Sequence, residues 1–251
     1  MTSRIIHTGN TAGAQRALCI DGKRIRTADC YHCVIRKKML FSDVDLEQID
    51  SLLRPISNLL VKPGTVLYQQ GEPGLSLYSV RKGLVKLVQS LPNGFERIVH
   101  IAGPGACIGM EGFLNNEYGQ RAEALTEADV CAIPVESARR ISEQQTLLFD
   151  GLMARWQSQF ELAGRWMLEL SQGTVRQKLA RLLLMLDEIG HTHGQIRLLN
   201  NQDSAGIVGS TVETVSRNIA DFKREGFLQK MAPALYAIDR DLLQNIAVTL
   251  E

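Results

Sequence analysis

The sequence predicts an α+β protein: an N-terminal antiparallel β-barrel of the double-stranded β-helix or jelly-roll kind, a long helix, and a C-terminal winged helix-turn-helix. Three observations carry that expectation. Between Leu59 and Ile133, short apolar runs are separated by Gly and Pro turn signals roughly every ten residues. Across Pro134–Leu170 apolar residues recur at three- and four-residue steps. From Asn201 to Arg217, a short helical pattern, a glycine and a second capped helical pattern follow one another.

Taken in chain order, Phe41, Val44, Leu46, Ile49, Leu52 and Leu53 fall near helical spacing and predict a helical entry over Leu40–Leu60, with Ser42 as N-cap. No Glu or Gln stands three residues after Ser42, so a capping box is absent. Strands are expected at Leu77–Val80, Leu84–Val88 and Arg97–Ile101. Pro92-Asn93-Gly94 marks a hairpin, because Asn-Gly takes the positive φ that tight turns require. The spacing then predicts one long helix over Pro134–Leu170. Phe149, Leu152, Trp156, Phe160, Ala163, Met167 and Leu170 form a coiled-coil-like seam, read as a dimer interface; the alternative is a helix packed on its own barrel. A further helix spans Val175–Ile189, ended by Gly190, with His191–Gly194 as a loop.

In the helix-turn-helix segment, Ala205 lets two helices approach, Gly209 makes the turn, and Val208 and Val215 pack between the helices. Ser210 or Thr211 caps the second helix, leaving Glu213, Ser216 and Arg217 on one face. Those three suit major-groove reading: Glu accepts from cytosine N4, Arg forks onto guanine O6 and N7, and Ser serves either partner. Ser210, Thr211, Val212, Glu213, Ser216 and Arg217 are the expected DNA-contacting set. The strand Leu235–Ile238 and a turn at Pro233 supply the wing. The expected division is a basic, cysteine-containing arm (1–40), a sensor barrel (41–145), a dimerisation helix (146–170) and a DNA-binding domain (171–251).

The 251 residues carry a formal net charge of +1, so overall charge does not point to a polyanionic partner. Charge is uneven, with Arg4, Arg16, Lys23, Arg24, Arg26, Arg36, Lys37 and Lys38 crowding the first forty residues. That arm reads either as a solvated segment or as one that touches phosphates. Nothing approaches the length of an apolar membrane span, and Met1–Asn10 lacks a secretory core, so a cytoplasmic location is expected. Five cysteines, an odd number, argue against a secreted disulfide framework. No Ser-His-Asp arrangement, Walker loop or HExxH is present, and enzymatic function is not expected.

From about Cys30 onward the chain resembles the CRP/FNR superfamily of bacterial transcription regulators. Val212-Glu213-Thr214-Val215-Ser216-Arg217, Gly71-Glu72, Lys82-Gly83-Leu84-Val85-Lys86 and Gly105-Ala106-Cys107-Ile108-Gly109 carry the likeness. The E-x-x-S-R form resembles the FNR branch. That resemblance implies a homodimer reading an inverted repeat of TTGAT-type half-sites in double-stranded DNA, with RNA polymerase as partner. Ser204 and Asn218 depart from the family's apolar helix-packing positions.

The resemblance also frames the signal. Where the nucleotide-binding branch places a ribose-holding Glu, this chain has Met110, and Ala122 replaces the hydroxyl beside Arg121, which disfavours a cyclic nucleotide. The oxygen-sensing branch holds a [4Fe–4S] cluster on four thiolates, which would here involve Cys30, Cys33 and Cys131. The third N-terminal position is Met39, and Cys19 would have to complete the set Cys19, Cys30, Cys33 and Cys131. The alternatives are a thiol switch, in which Cys30 and Cys33 or Cys19 exchange disulfides, a small-ligand-gated regulator without a cluster, and a cyclic-nucleotide-responsive regulator. Zinc bound by Cys30, His32 and Cys33 lacks a completing pair.

Overall fold

The computed structural model describes residues 18–20, 23–115 and 117–248. Arg4, Arg16 and the side chain of Cys19 lie outside the described residues. Contacts divide the chain into two compact units: residues up to Leu87 with Ala102–Gln159, and Val88–Ile101 with Phe160 onward.

The strands begin with β1 (Leu18–Ile20) and β2 (Lys23–Thr27), then, after a short helix α1 (Asp50–Leu53), β3 (Ser57–Val61) and β4 (Val66–Tyr68). β5 (Ser76–Lys82), β6 (Val85–Ser90), β7 (Glu96–Ala102) and β8 (Cys107–Ile108) follow. After α2 (Glu111–Asn115) come β9 (Arg121–Ala124) and β10 (Ala128–Pro134). They form a six-stranded sheet in the order β1-β2-β3-β10-β5-β8 and a four-stranded sheet in the order β4-β9-β6-β7. This is the jelly-roll-like arrangement that the turn spacing predicts. At the β6–β7 hairpin Gly94 has φ +83°, and the Asn93 side chain accepts from the Phe95 N–H at 3.0 Å.

The expected helix over Leu40–Leu60 is not formed. Only Asp50–Leu53 is helical, and the Ser42 hydroxyl bonds Asp43 instead of capping a helix. Leu40, Phe41, Val44, Leu46 and Ile49 are buried nonetheless, in the core cluster that also holds Ile133, Ile141 and Leu152. Their near-helical spacing comes from bends that turn apolar side chains inward one by one. Arg54, just before Pro55, still lies in the helical region at φ −56° and ψ −38°, and the chain then leads into β3.

The single long helix predicted over Pro134–Leu170 is two: α3 (Val135–Gln144) and α4 (Thr146–Ser171). Gln145 is extended, with φ −134° and ψ 97°, and breaks the path between them. Ile141 in α3 and Leu148 in α4 both reach the core across this corner.

In the second unit α5 (Val175–Gly190) opens with a reciprocal box between Thr174 and Gln177. It ends where Gly190 predicts, although the left-handed residue is His191, with φ +50°. β11 (Gln195–Arg197), α6 (Asn201–Val208), α7 (Val212–Arg224), β12 (Leu228–Ala232), β13 (Leu235–Ile238) and α8 (Arg240–Val248) complete it. The sheet order is β11-β13-β12, so the wing hairpin gains a third strand and α8 packs on α5. α8 has no counterpart in the sequence expectations.

Asp187 ties these parts together. Buried at the end of α5, it accepts from the Thr192 hydroxyl and the Gly194 N–H at 2.7 Å each, and from Arg240 Nε at 2.6 Å. Burial alone pushes its carboxyl up, but Thr192, Gly194 and Arg240 together hold it below the ordinary aspartate value of 3.8. A lowered folded value stabilises the fold above pH 3.8, and that stability is lost as pH falls through the folded value. Asp187→Ala is expected to cost about 2–4 kcal/mol in urea unfolding. Asp187→Asn should flatten the acid limb of stability against pH.

Candidate nucleic-acid interface and the cysteine cluster

α7 is amphipathic. Val215, Ile219 and Phe222 are buried, while Val212, Glu213, Ser216, Arg217 and Ala220 are exposed. Burial of three apolar side chains at i, i+4 and i+7 fixes which residues face outward. Gly209 ends α6 in the left-handed region at φ +65°, and Thr211 caps α7 by accepting from the Thr214 N–H at 3.2 Å. Of the two capping candidates the structure selects Thr211; Ser210 is half-buried in the turn. The Glu213 carboxyl is held below the ordinary glutamate value by its own backbone N–H and the Thr211 hydroxyl. It is therefore an ionised acceptor on the first turn, where the helix dipole also favours negative charge.

The two departures from the family packing pattern are accommodated. Ser204 is buried in α6, and the Asn218 amide donates to the Thr214 carbonyl at 2.9 Å, leaving Ile219 to pack. Behind α7, the Arg176 guanidinium lies 4.9 Å from the Phe222 ring and 5.6 Å from the Phe227 ring, and pairs with Glu225. Arg176 and the capping role of Thr214 are not read from the sequence. For Thr214 the signal was its place three residues after the cap.

Along α4, Phe149, Trp156, Phe160 and Met167 are exposed as the seam predicts, and Ala163 is half-buried. Leu152 and Leu170, at 2% and 3% exposure, are turned inward instead. At about 100° per residue the outward stripe runs Phe149, Met153, Trp156, Phe160, Ala163 and Met167. Leu148, Leu152, Trp166 and Leu170 lie to one side of it and are buried. Met153 thus takes the place in the stripe that the sequence assigns to Leu152.

The second constellation lies in the first unit. Across β3, β10 and β5 the register sets Asn58, Cys131 and Ser79 side by side. Cys131 Sγ donates to Asn58 Oδ1 at 3.1 Å, and the Ser79 hydroxyl donates to Met39 Sδ at 3.6 Å. Two residues from Ser79, Arg81 pairs with Asp129 at 3.1 Å, and its charge is felt at Cys131 and Cys33. Cys30 and Cys33 are half-buried against the core cluster that contains Met39 and Cys131. Burial, with the neighbouring Cys33 and Asp29, pushes the Cys30 thiol up to about 11, and burial pushes Cys131 and Cys107 to about 12. Arg81 and Ser79 escaped the sequence reading, because a polar row inside a strand shows only once the register is known.

These residues do not fit a four-thiolate iron–sulfur cluster. Among the described residues no three His, Cys, Asp or Glu side chains converge to hold a metal. The third N-terminal position is the buried thioether of Met39, already engaged by Ser79. Cys19, the remaining expected thiolate, has its side chain outside the described residues. Its backbone sits on β1, opposite Arg24 and three strands from β10, or about 14 Å at ordinary strand spacing. Nor do Met110 and Ala122 offer a cyclic nucleotide a hydroxyl or carboxylate; Ala122 is fully buried and Arg121 lies near Glu123 at 3.7 Å.

Residues 59–145 match the cyclic nucleotide-binding domain family, and residues 177–246 match the Crp-like helix-turn-helix domain. The chain is 29% identical over 218 residues to the transcriptional activator protein Anr of Pseudomonas aeruginosa, covering 84% of this chain and 89% of that one. It is 25% identical to the anaerobic regulatory protein of Aggregatibacter actinomycetemcomitans, with 82% and 84% covered. Among solved structures, FixK2 from Bradyrhizobium japonicum superimposes with a TM-score of 0.68 at 23% identity, covering 78% of this chain and 99% of that one. A CRP-family transcriptional regulator from Thermus thermophilus gives 0.64 at 25% identity, with 75% and 95% covered. The matched families and relatives are regulators, not enzymes. With a jelly-roll-like sheet pair, a long helix and a capped helix-turn-helix in this order, the chain belongs to the CRP/FNR family of DNA-binding transcription regulators.

Proposed function

We propose that the protein acts as a homodimer that reads an inverted repeat of TTGAT-type half-sites, and that redox conditions gate it through its cysteines. One observation carries the DNA reading: Glu213, Ser216 and Arg217 stand exposed on one face of a helix whose opposite face is buried. Arg217 forks onto a guanine, Glu213 accepts from a cytosine amine, and Ser216 bonds either partner. Val212, exposed beside them, offers an apolar contact to a thymine methyl. Ser210 and Thr211, at the start of the helix, sit where backbone phosphate is met. The near-neutral net charge of +1 makes these base contacts count for more than non-specific attraction.

A palindromic site requires two copies. The exposed stripe on α4 supplies the surface for a second α4, since Phe160 and Met167 are 72% and 70% exposed. The redox element of the reading draws support from relatives described as anaerobic regulatory proteins and from three cysteines in one neighbourhood. RNA polymerase is the partner that a regulator of this kind addresses, as the description of Anr as a transcriptional activator suggests. A protein whose partner is chromosomal DNA acts in the cytoplasm under this reading. No helix among the described residues is long and apolar enough to cross a membrane.

Arg217→Ala is expected to weaken binding to a TTGAT palindrome by roughly tenfold to a hundredfold per half-site, with little change on random DNA. Fluorescence anisotropy at fixed salt measures both, and equal loss on the two DNAs means that Arg217 is not a base reader. Phe160→Glu should shift the protein towards monomer in analytical ultracentrifugation while leaving its circular dichroism unchanged. A dimer of unaltered affinity would remove α4 from the interface.

A further inference from the structure

Four features of the first unit converge on one short segment. Cys30–Cys33 forms a turn whose central residues are Tyr31 and His32. Its ends are therefore about 7 Å apart or less, which overlaps the span a disulfide bridges. The turn is pinned on both sides: the His32 N–H donates to Asp29 at 3.0 Å, and the Tyr31 hydroxyl donates to Asp50 and to the Leu46 carbonyl at 3.1 Å each. Arg81 comes near it from β5, with Nη1 on Asp129, its charge felt at Cys33, and a buried Nε that has no hydrogen-bond partner. At the far end of the segment, Arg155 of α4 donates to the Met39 and Lys38 carbonyls and to its own Gly151 carbonyl. Arg155 is the immediate neighbour of Trp156 in the exposed stripe.

We propose that Cys30 and Cys33 are a redox-active dithiol that a hydroperoxide converts to a disulfide, in the place where the FNR branch carries a cluster, and that Arg155 transmits the change to α4. This rests on the redox gating proposed above and names its chemistry. The Cys33 sulfur, in the neighbourhood of the Arg81 guanidinium, attacks the outer oxygen of the peroxide. The O–O bond breaks, an S–O bond forms, and the departing oxygen takes up a proton as water or alcohol. The Cys30 sulfur then attacks Cys33. The S–S bond forms, the S–O bond breaks, and the Cys30 proton leaves with the hydroxyl as a second water. Two thiols are oxidised and one peroxide is reduced.

Cys33 acts as the attacking sulfur and Cys30, at the other end of the same turn, as the resolving one. Cys131 is a spectator, its Sγ given to Asn58. Closing the disulfide tightens the turn and pulls on the Arg36–Met39 segment, whose last carbonyls Arg155 holds. An equilibrium between α4 pairings need differ by only a small free energy between the two redox states for the site to act as a switch.

The test uses the full chain, purified without air. Iron and sulfide analysis is expected to find neither at cluster stoichiometry; finding both overturns the proposal. Hydrogen peroxide at one equivalent, followed by alkylation and peptide mass spectrometry, is expected to yield a Cys30–Cys33 disulfide. A Cys33–Cys131 linkage, or no linkage, overturns it. Cys33→Ser should lower the oxidation rate roughly tenfold or more, Arg81→Gln should lower it to a lesser degree, and Cys107→Ser should leave it unchanged. Arg155→Gln should oxidise as fast as wild type, yet lose the peroxide-dependent change in dimer dissociation constant; keeping that change overturns the coupling. Selective DNA binding is scored separately on the reduced protein, so failure of the TTGAT reading and failure of the dithiol are told apart.

Discussion

Helix α4 has to satisfy two partners at once, and this sets the limits for everything around it. Leu148 and Leu152 are committed to the first unit's core, and Trp166 and Leu170 are buried further along. A second stripe, from Phe149 to Met167, is left in the open. The two stripes are offset by well under half a turn. A small rotation of the helix would therefore bury part of one stripe and expose part of the other. Exposed aromatic and methionine surface of this extent is costly in water and is the usual mark of a partner. The same helix carries Arg155, the residue that holds the end of the cysteine segment. Under the proposed function, chemistry at the cysteines and pairing at the stripe both bear on this helix.

A comparable constraint governs α7. Its buried face is minimal, with Val215, Ile219 and Phe222 doing most of the packing, and Phe222, Phe227 and the Arg176 guanidinium form a three-way contact. Because so few contacts position the helix, the Thr211 cap and the Gly209 turn carry a large share of its geometry. Capping contributes only about 1 kcal/mol, but it decides where the first turn starts and hence which way Glu213 points. Glu213 and Arg217 are four residues apart, so any change of start residue would rotate both out of register with the base edges.

Where local chemistry alone decides a structure, the sequence was legible. Asn93-Gly94 makes its hairpin, Gly209 makes its turn and Thr211 caps, because each needs only its own backbone. Arg217 and its neighbours were readable for the same reason. Legibility failed where tertiary packing overrode periodicity. Leu40 to Ile49 bury their side chains from irregular chain, and a 3.6-residue rhythm cannot tell that apart from a helix. Leu152 and Met153 are adjacent, and only the core decides which faces inward. Gln145 breaks a helix that no proline or glycine marks. The cysteine neighbourhood was half visible: the C-x-x-C pair and Met39 stand out in the chain. The row of Asn58, Cys131 and Ser79 comes from strands far apart in sequence, and strand register is what assembles it.

That polar row has its own logic. A hydroxyl, an amide and a thiol side by side on a sheet would each cost on the order of 1–3 kcal/mol if buried without partners. Here each is occupied: Ser79 by the Met39 sulfur, Asn58 by Cys131, and Asp129 nearby by Arg81. Met39 is central to this arrangement, because a thioether accepts a weak hydrogen bond while filling apolar space. Cysteine at the same position would be shorter and leave a gap against the core, and its sulfur would be open to iron. The methionine therefore closes the site to a fourth thiolate and at the same time stabilises the covering segment on the sheet. The two half-buried cysteines at the rim of that segment are then left to chemistry that needs only a pair of sulfurs and a nearby cation.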